Sequence, residues 1–323
     1  MLRHKPGRAI VLPVGKGRLG LVSPSPFGNE SSGLRPRARD PHDEHRAPRG
    51  ARLFVRAGLA NEERSGRTST MELFSMSTSH PRLALITGAS RPLGLGFAVA
   101  RQLAERDHHV VLTARNVAQA EGLAATLRGD GFAASALALD FADPASVHRL
   151  AVDLSGMVDR LDVLINNASA MPDFATRSAL EVDVDALHTL FETNVFGCWS
   201  LTQTLLPLLR KAPAARIVNV TSTAAWQIGK RTPGPLFSPA YSLAKFTLNA
   251  LTVTLATALA DSPILVNAVD PGSVASHPER GDDEDDRSPA EAAAGVVWAA
   301  TLGEDGPSGC FFQDGAPLPA PTL

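Results

Sequence analysis

Tyr241 is the only tyrosine in the 323 residues, and Lys245 follows four positions later. The surrounding run, Ala240 to Ala260, is rich in Ala, Leu and Thr and reads as a helix. Positions i and i+4 share one helical face, so phenol and ammonium point the same way. A neighbouring ammonium favours the charged phenolate and lowers a tyrosine pKa from about 10. A phenol tuned in this way suits general acid/base chemistry on a hydroxyl or carbonyl. Lysine is scarce here, five of 31 basic residues, so Lys245 is also an uncommon residue type in the chain.

A second cluster suggests a cofactor. Thr87-Gly88-Ala89-Ser90-Arg91-Pro92-Leu93-Gly94-Leu95-Gly96 joins a short apolar run to a helical stretch. Glycines at such a turn let the backbone approach a pyrophosphate, and the helix that follows offers N–H groups and a favourable dipole. At the end of the second strand, Leu112-Thr113-Ala114-Arg115 carries no acid that could bind the ribose hydroxyls of NAD. Arg115, with Arg91 as a second candidate, instead offers a cation to a 2′-phosphate, which points to NADP(H).

These groups need a scaffold. From Pro81 onward, short apolar runs alternate with helical stretches. Strands are expected at 83–87, 109–113, 134–139, 163–166, 217–220 and 264–269, with a short closing strand at 309–313. Helices are expected at 96–105, 118–128, 144–156, 184–209 and 240–260. Continuous apolar strands separated by helices imply βαβ units and a doubly wound parallel sheet covered on both faces, an α/β Rossmann fold. The expected division is a basic, disordered extension over 1–78 and one domain over 79–323.

The extension is rich in Arg, Pro, Gly and Ser and lacks apolar periodicity, so burial cannot offset its ordering entropy. Residues 1–75 hold 14 Lys+Arg against 7 Asp+Glu, and the remainder 17 against 26. The segment has three readings: a targeting peptide, an arm for nucleic acid, or an upstream extension with Met71 or Met76 as the working start. Its acids count against the first, nucleic acid is not the expected partner, and the third is favoured. Two cysteines, Cys198 and Cys310, make no disulfide framework. No apolar run reaches the ~18–20 residues of a membrane span. A cytoplasmic protein with no membrane contact is expected.

With these motifs in order, the chain resembles the short-chain dehydrogenase/reductase family over residues 80–320. Thr87-Gly88…Gly94-Leu95-Gly96 resembles its cofactor glycine motif, and Asn166-Asn167-Ala168 its Asn-Asn-Ala-Gly turn, with Ser169 in place of glycine. The resemblance implies a catalytic group of Asn194, Ser222, Tyr241 and Lys245. It implies cofactor contacts from Gly88, Ser90, Arg91, Gly94, Leu95, Gly96, Arg115, Asp140, Phe141, Asn167, Ala168, Tyr241, Lys245, Pro271, Gly272 and Val274. Ser222 would hold a carbonyl oxygen and Tyr241 would protonate it. Lys245 would bind the nicotinamide ribose, and Asn194 would hold a water leading to solvent.

The second strand and the C-terminal run Gly306–Gly315 are similar to NADPH-dependent carbonyl reductases. That similarity implies a small-molecule ketone, aldehyde, quinone or alcohol as substrate. In many members of the resembled family the long helices bearing Asn194 and Tyr241 pack against a second subunit, which leaves a homodimer or homotetramer open here.

The chain departs from the family at two places. The glycine loop is two residues longer than usual, and Pro92 within it has no N–H to give a phosphate. This departure keeps a second reading open, a dinucleotide-binding regulator without turnover. Between Ser222 and Tyr241 lie 18 residues, several more than usual. That insertion, Trp226 to Pro239, would overhang the substrate, and Trp226 and Phe237 are its candidate substrate contacts. His108 and His109 have no Cys or carboxylate cluster beside them, so no metal is expected. Asp282–Asp286 is read as a solvated stretch of the substrate loop, and Cys198 as a packed core residue.

Overall fold

The structure is a computed structural model that describes residues 81–229, 234–277 and 286–320. The chain divides into Met1–Leu73 and Phe74–Leu323. The expected extension over 1–78 lies outside the described residues, as do Lys230, Arg231 and Pro233 of the insertion and Asp282 to Asp285 of the acidic run.

Seven strands run parallel: β1 (Arg82–Ile86), β2 (His108–Ala114), β3 (Ala134–Ala138), β4 (Val163–Asn166), β5 (Arg216–Val220), β6 (Leu265–Val269) and β7 (Phe311–Gln313). A short antiparallel β8 (Ala316–Leu318) pairs with β7, giving the order β3-β2-β1-β4-β5-β6-β7-β8. The doubly wound α/β sheet expected from the sequence is therefore the one formed, with β8 as an edge strand the pattern did not show.

Successive strand side chains point to opposite faces, and the core divides accordingly. Ala84 and Ile86 of β1 pack into one apolar cluster, Leu83 and Leu85 into another. The first cluster is covered by α1 (Leu95–Ala104), α2 (Val117–Gly129) and α7 (Pro289–Ala300). The second is covered by α3 (Ser146–Met157), α5 (Gly197–Leu209) and the end of α6 (Pro239–Ala258). Burial on both faces is why these strands read as unbroken apolar runs rather than as alternating ones.

Two helical expectations change. The single helix expected over 184–209 is divided into α4 (Val184–Phe191), a π-helical turn (Glu192–Phe196) and α5. The helix α7 was not anticipated. It opens with a capping box in which Ser288 accepts from the Glu291 N–H and the Glu291 carboxylate accepts from the Ser288 N–H.

Strand β1 has β2 on one side and β4 on the other, so the chain reverses its winding there. In open α/β sheets, ligands bind beyond the carboxyl ends of the strands at such a switch point. The loops after β1, β4, β5 and β6 all leave from that edge.

Candidate active site

The glycine loop lies against the turn after β4. Gly88 has φ +70°, and a Cβ there would stand 2.7 Å from Cα of Ala168. A Cβ on Gly96 would meet Nδ2 of Asn167 at 2.6 Å. Larger residues at either position would push these two turns apart. Thr87, fully buried at the end of β1, ties them together: its hydroxyl accepts the N–H groups of Asn167 and Ala168, both at 2.9 Å. Nδ2 of Asn167 returns a bond to the Thr87 carbonyl at 2.8 Å. Helix α1 begins immediately beyond, with Gly94 at its N-cap in extended conformation and no side chain capping it. A glycine turn in contact with a second turn, opening onto an uncapped helix N-terminus, fits a dinucleotide pyrophosphate.

Other expected cofactor residues are spread around this rim. Ser90 and Leu95 are half-buried on the loop, and Asp140 uses Oδ1 to accept from the Ala142 N–H. The side chain of Phe141 is packed in the core, so only its main chain remains for a ligand. Arg115 is exposed at the end of β2. Arg91 reaches the segment after β6, where its guanidinium contacts the His277 imidazole and donates to the Ser276 carbonyl. The lengthened glycine loop is thus joined to the loop following Pro271, Gly272 and Val274. Gly272 has φ +73° and donates its N–H to Oδ1 of Asp270 at 2.9 Å, which fixes the Pro-Gly turn. Asp270 is buried, and burial pushes its carboxyl above the usual range.

The expected catalytic residues Tyr241, Lys245 and Ser222 lie on α6 and just beyond β5. Lys245 is 2 % exposed, and its ammonium donates to the Val220 carbonyl at 2.7 Å. The same ammonium lies 5.5 Å from the Tyr241 ring centroid, as the i, i+4 spacing predicts. Tyr241 is half-buried. Ser222 stands two residues after Val220 and N-caps a short 3-10 helix (Thr223–Gln227), accepting from the Ala224 N–H at 3.2 Å. Lys245 therefore ties the tyrosine helix to the strand end that delivers the serine.

Asn194 is fully buried in the π-helical turn. Its carboxamide accepts from the Ala170 N–H and donates to the Ala170 carbonyl, both at 2.9 Å. Both polar atoms of its side chain are thus engaged by main chain. Irregular turns of this kind are frequent at functional sites.

The two expected substrate contacts take other partners. Trp226 donates its indole N–H to the Pro319 carbonyl at 2.9 Å and sets its ring edge-on to Phe311. It therefore holds the C-terminal segment. Phe237 is exposed and lies 4.6 Å from the Arg177 guanidinium carbon. Cys198 is a core residue as expected, packed with Leu248 and Leu251, and burial pushes its thiol up to about 11. Among the described residues no group of three His, Cys, Asp or Glu is placed to hold a metal ion.

Asp173 was not anticipated. It is buried, and Oδ2 accepts the N–H groups of Ala240 at 2.8 Å and Tyr241 at 3.3 Å. The partners are 67 and 68 residues apart in sequence, so no local pattern could have revealed the contact.

Known proteins resemble this chain in sequence and in fold. The sequence profile for "short chain dehydrogenase" matches residues 82–287. The "Dehydrogenase/reductase SDR family member 4" of Bos taurus is 30% identical over 214 residues, 65% of this chain and 73% of that protein. The "Short-chain dehydrogenase anuI" of Penicillium roqueforti is 34% identical over 232 residues, 68% of this chain and 89% of its own. The solved "Pseudomonas aeruginosa RhlG/NADP active-site complex" superposes with a TM-score of 0.62 at 29% identity, covering 72% of this chain and 95% of that one.

Proposed function

The chain belongs to the short-chain dehydrogenase/reductase family of oxidoreductases, and from that membership we propose that it is an NADP-dependent enzyme acting on a ketone, aldehyde or quinone carbonyl, or on the corresponding alcohol in reverse. The observation that carries this reading is the placement of its only tyrosine beside a buried ammonium that is anchored to the strand leading to Ser222.

Residues of the glycine loop and the α1 N-terminus would hold the dinucleotide, with Asp140, Asn167 and Ala168 along the adjoining strand ends. Arg115, exposed where an acid would select NAD, would take the 2′-phosphate. The RhlG structure is described as an NADP complex, which supports this choice. The nicotinamide supplies the hydride, and the protein supplies position and electrostatics. Ser222 Oγ would hydrogen-bond the carbonyl oxygen and orient it. Tyr241 would give its proton to that oxygen as negative charge develops there, and would take it back in oxidation. The cation of Lys245 would stabilise the charge left on the phenol oxygen. Asn194, whose carboxamide holds the Ala170 main chain, would hold a water that leads the proton route outward.

Titration of the purified chain with NADPH and NADH, followed by tryptophan fluorescence, tests the cofactor assignment. A guanidinium–phosphate hydrogen bond is strong enough that NADPH should bind at least about tenfold tighter. Arg115→Ala should remove most of that preference. Equal binding of both cofactors would refute it.

A further inference from the structure

Helix α6 begins without help from its own N-cap. Ser238 has φ 46° and ψ 63°, and its hydroxyl donates to the Phe174 carbonyl at 3.4 Å instead of accepting from the helix. The next residue, Pro239, has no N–H to satisfy. The N–H of Ser242 already reaches the Ser238 carbonyl at 2.8 Å. The first turn therefore has two orphan donors, Ala240 and Tyr241. One oxygen, Oδ2 of Asp173, takes both.

The segment carrying Asp173 is itself fixed to the other half of the site. Ala170, three residues earlier, has both main-chain polar groups held by Asn194. Pro172 stiffens the interval between them. Beyond Asp173, the carbonyls of Thr176 and Arg177 accept from the N–H groups of Ser238 and Leu236 at 3.0 and 3.2 Å. A strap from Ala170 to Arg177 thus joins the π-helical turn of Asn194 to the start of the helix bearing Tyr241.

The choice of residue is informative. A Ser, Asn or Asp at the N-cap itself would serve helix stability equally well. Here the cap comes from a buried residue 67 positions away in sequence.

We propose that Asp173 is a positioning residue: by binding the amides of Ala240 and Tyr241 it sets the first turn of α6, and with it the phenol, in register with the Asn194 turn. The proposal rests on the reading of Tyr241 as proton donor. The carboxylate acts through the helix and touches neither substrate nor cofactor.

The test uses the full chain and three substitutions. Asp173→Asn keeps an oxygen for the two amides, and Asp173→Ala removes it. Asp173→Glu keeps the charge but displaces the oxygen, and replaces the alanine variant if that one does not fold. Amide hydrogen exchange of peptides spanning 238–244 is read beside NADPH-dependent reduction of benzil as the carbonyl probe. Misplacing a reacting group by about 1 Å costs up to about 10²-fold, so Asp173→Ala should lower kcat by roughly 10- to 100-fold. The dissociation constant for NADPH should stay within about twofold, and exchange at 240–242 should speed up. Asp173→Asn should restore both properties to near wild type.

Unchanged exchange or unchanged kcat in Asp173→Ala would overturn the proposal. So would an equal loss of NADPH affinity, or an asparagine variant as impaired as the alanine one. Tyr241→Phe is measured alongside. Full activity in that variant would refute the proton-donor reading, while exchange would still decide whether Asp173 holds the turn.

Discussion

The ammonium of Lys245 lies 2.7 Å from the main-chain carbonyl of Val220, two residues before Ser222. This bond fixes α6 against the end of β5, so Lys245 has a structural role beside the chemical one proposed for it. Lys245→Met would remove the cation beside Tyr241 and leave the Val220 carbonyl without its donor. Activity should fall at least about 10²-fold, the lower bound for loss of assisted proton transfer. Stability should fall by about 1–3 kcal/mol, the cost of orphaning a buried acceptor. Steady-state kinetics and urea denaturation read the two losses separately. Full activity in Lys245→Met would remove Lys245 from the proposed group.

Thr87 holds the glycine loop to the turn after β4. Its hydroxyl accepts two N–H groups of the turn after β4 and donates to the Ile165 carbonyl at 3.2 Å. Thr87→Val keeps the volume and removes all three bonds. Each orphaned donor costs about 1–3 kcal/mol, so a clear drop in Tm is expected. NADPH affinity should weaken as the Gly88–Ala168 contact loosens. Unchanged affinity with reduced Tm would confine Thr87 to the fold.

Acid should destabilise the protein partly through His108. Nδ1 of this buried ring contacts the carbonyls of Leu103 and Arg106, and among the described residues no protein group bonds Nε2. Burial depresses the His108 pKa below 6.5. The unfolded chain therefore binds more protons than the folded one below that pH, and stability is lost as pH falls through this range. His109 is depressed by burial as well and adds to the same trend. Urea midpoints at pH 7, 6 and 5 should fall less steeply for His108→Gln than for wild type. Parallel curves would contradict the assignment.

Much of this architecture is legible in the sequence because its signals are local. Apolar runs such as Val163–Asn166 are buried on both faces, so they stand out at their observed boundaries. The i, i+4 spacing of Tyr241 and Lys245 fixes their common face without tertiary information. Helix α7 was readable too, since Ser288-Pro289 followed by Glu291 is a helix start signal. What stayed hidden depends on distant contacts. The π-helical turn is accompanied by Asn194 gripping Ala170, and the α6 cap comes from Asp173 across 67 residues. The structural tie made by Trp226 belongs to the same class. Its bond to Pro319 exists only once the chain end folds back beside β7.

The most direct test of the account is NADPH oxidation at 340 nm by wild type and Tyr241→Phe, with a panel of aromatic ketones, aldehydes and quinones. Tyr241 is the only phenol in the chain, so no second tyrosine can substitute for it. Wild type should turn over at least one carbonyl, and Tyr241→Phe should be slower by at least about 10²-fold with NADPH affinity retained. Equal rates in the two proteins would contradict the proposed mechanism, and NADPH binding without turnover of any panel member would contradict the proposed activity.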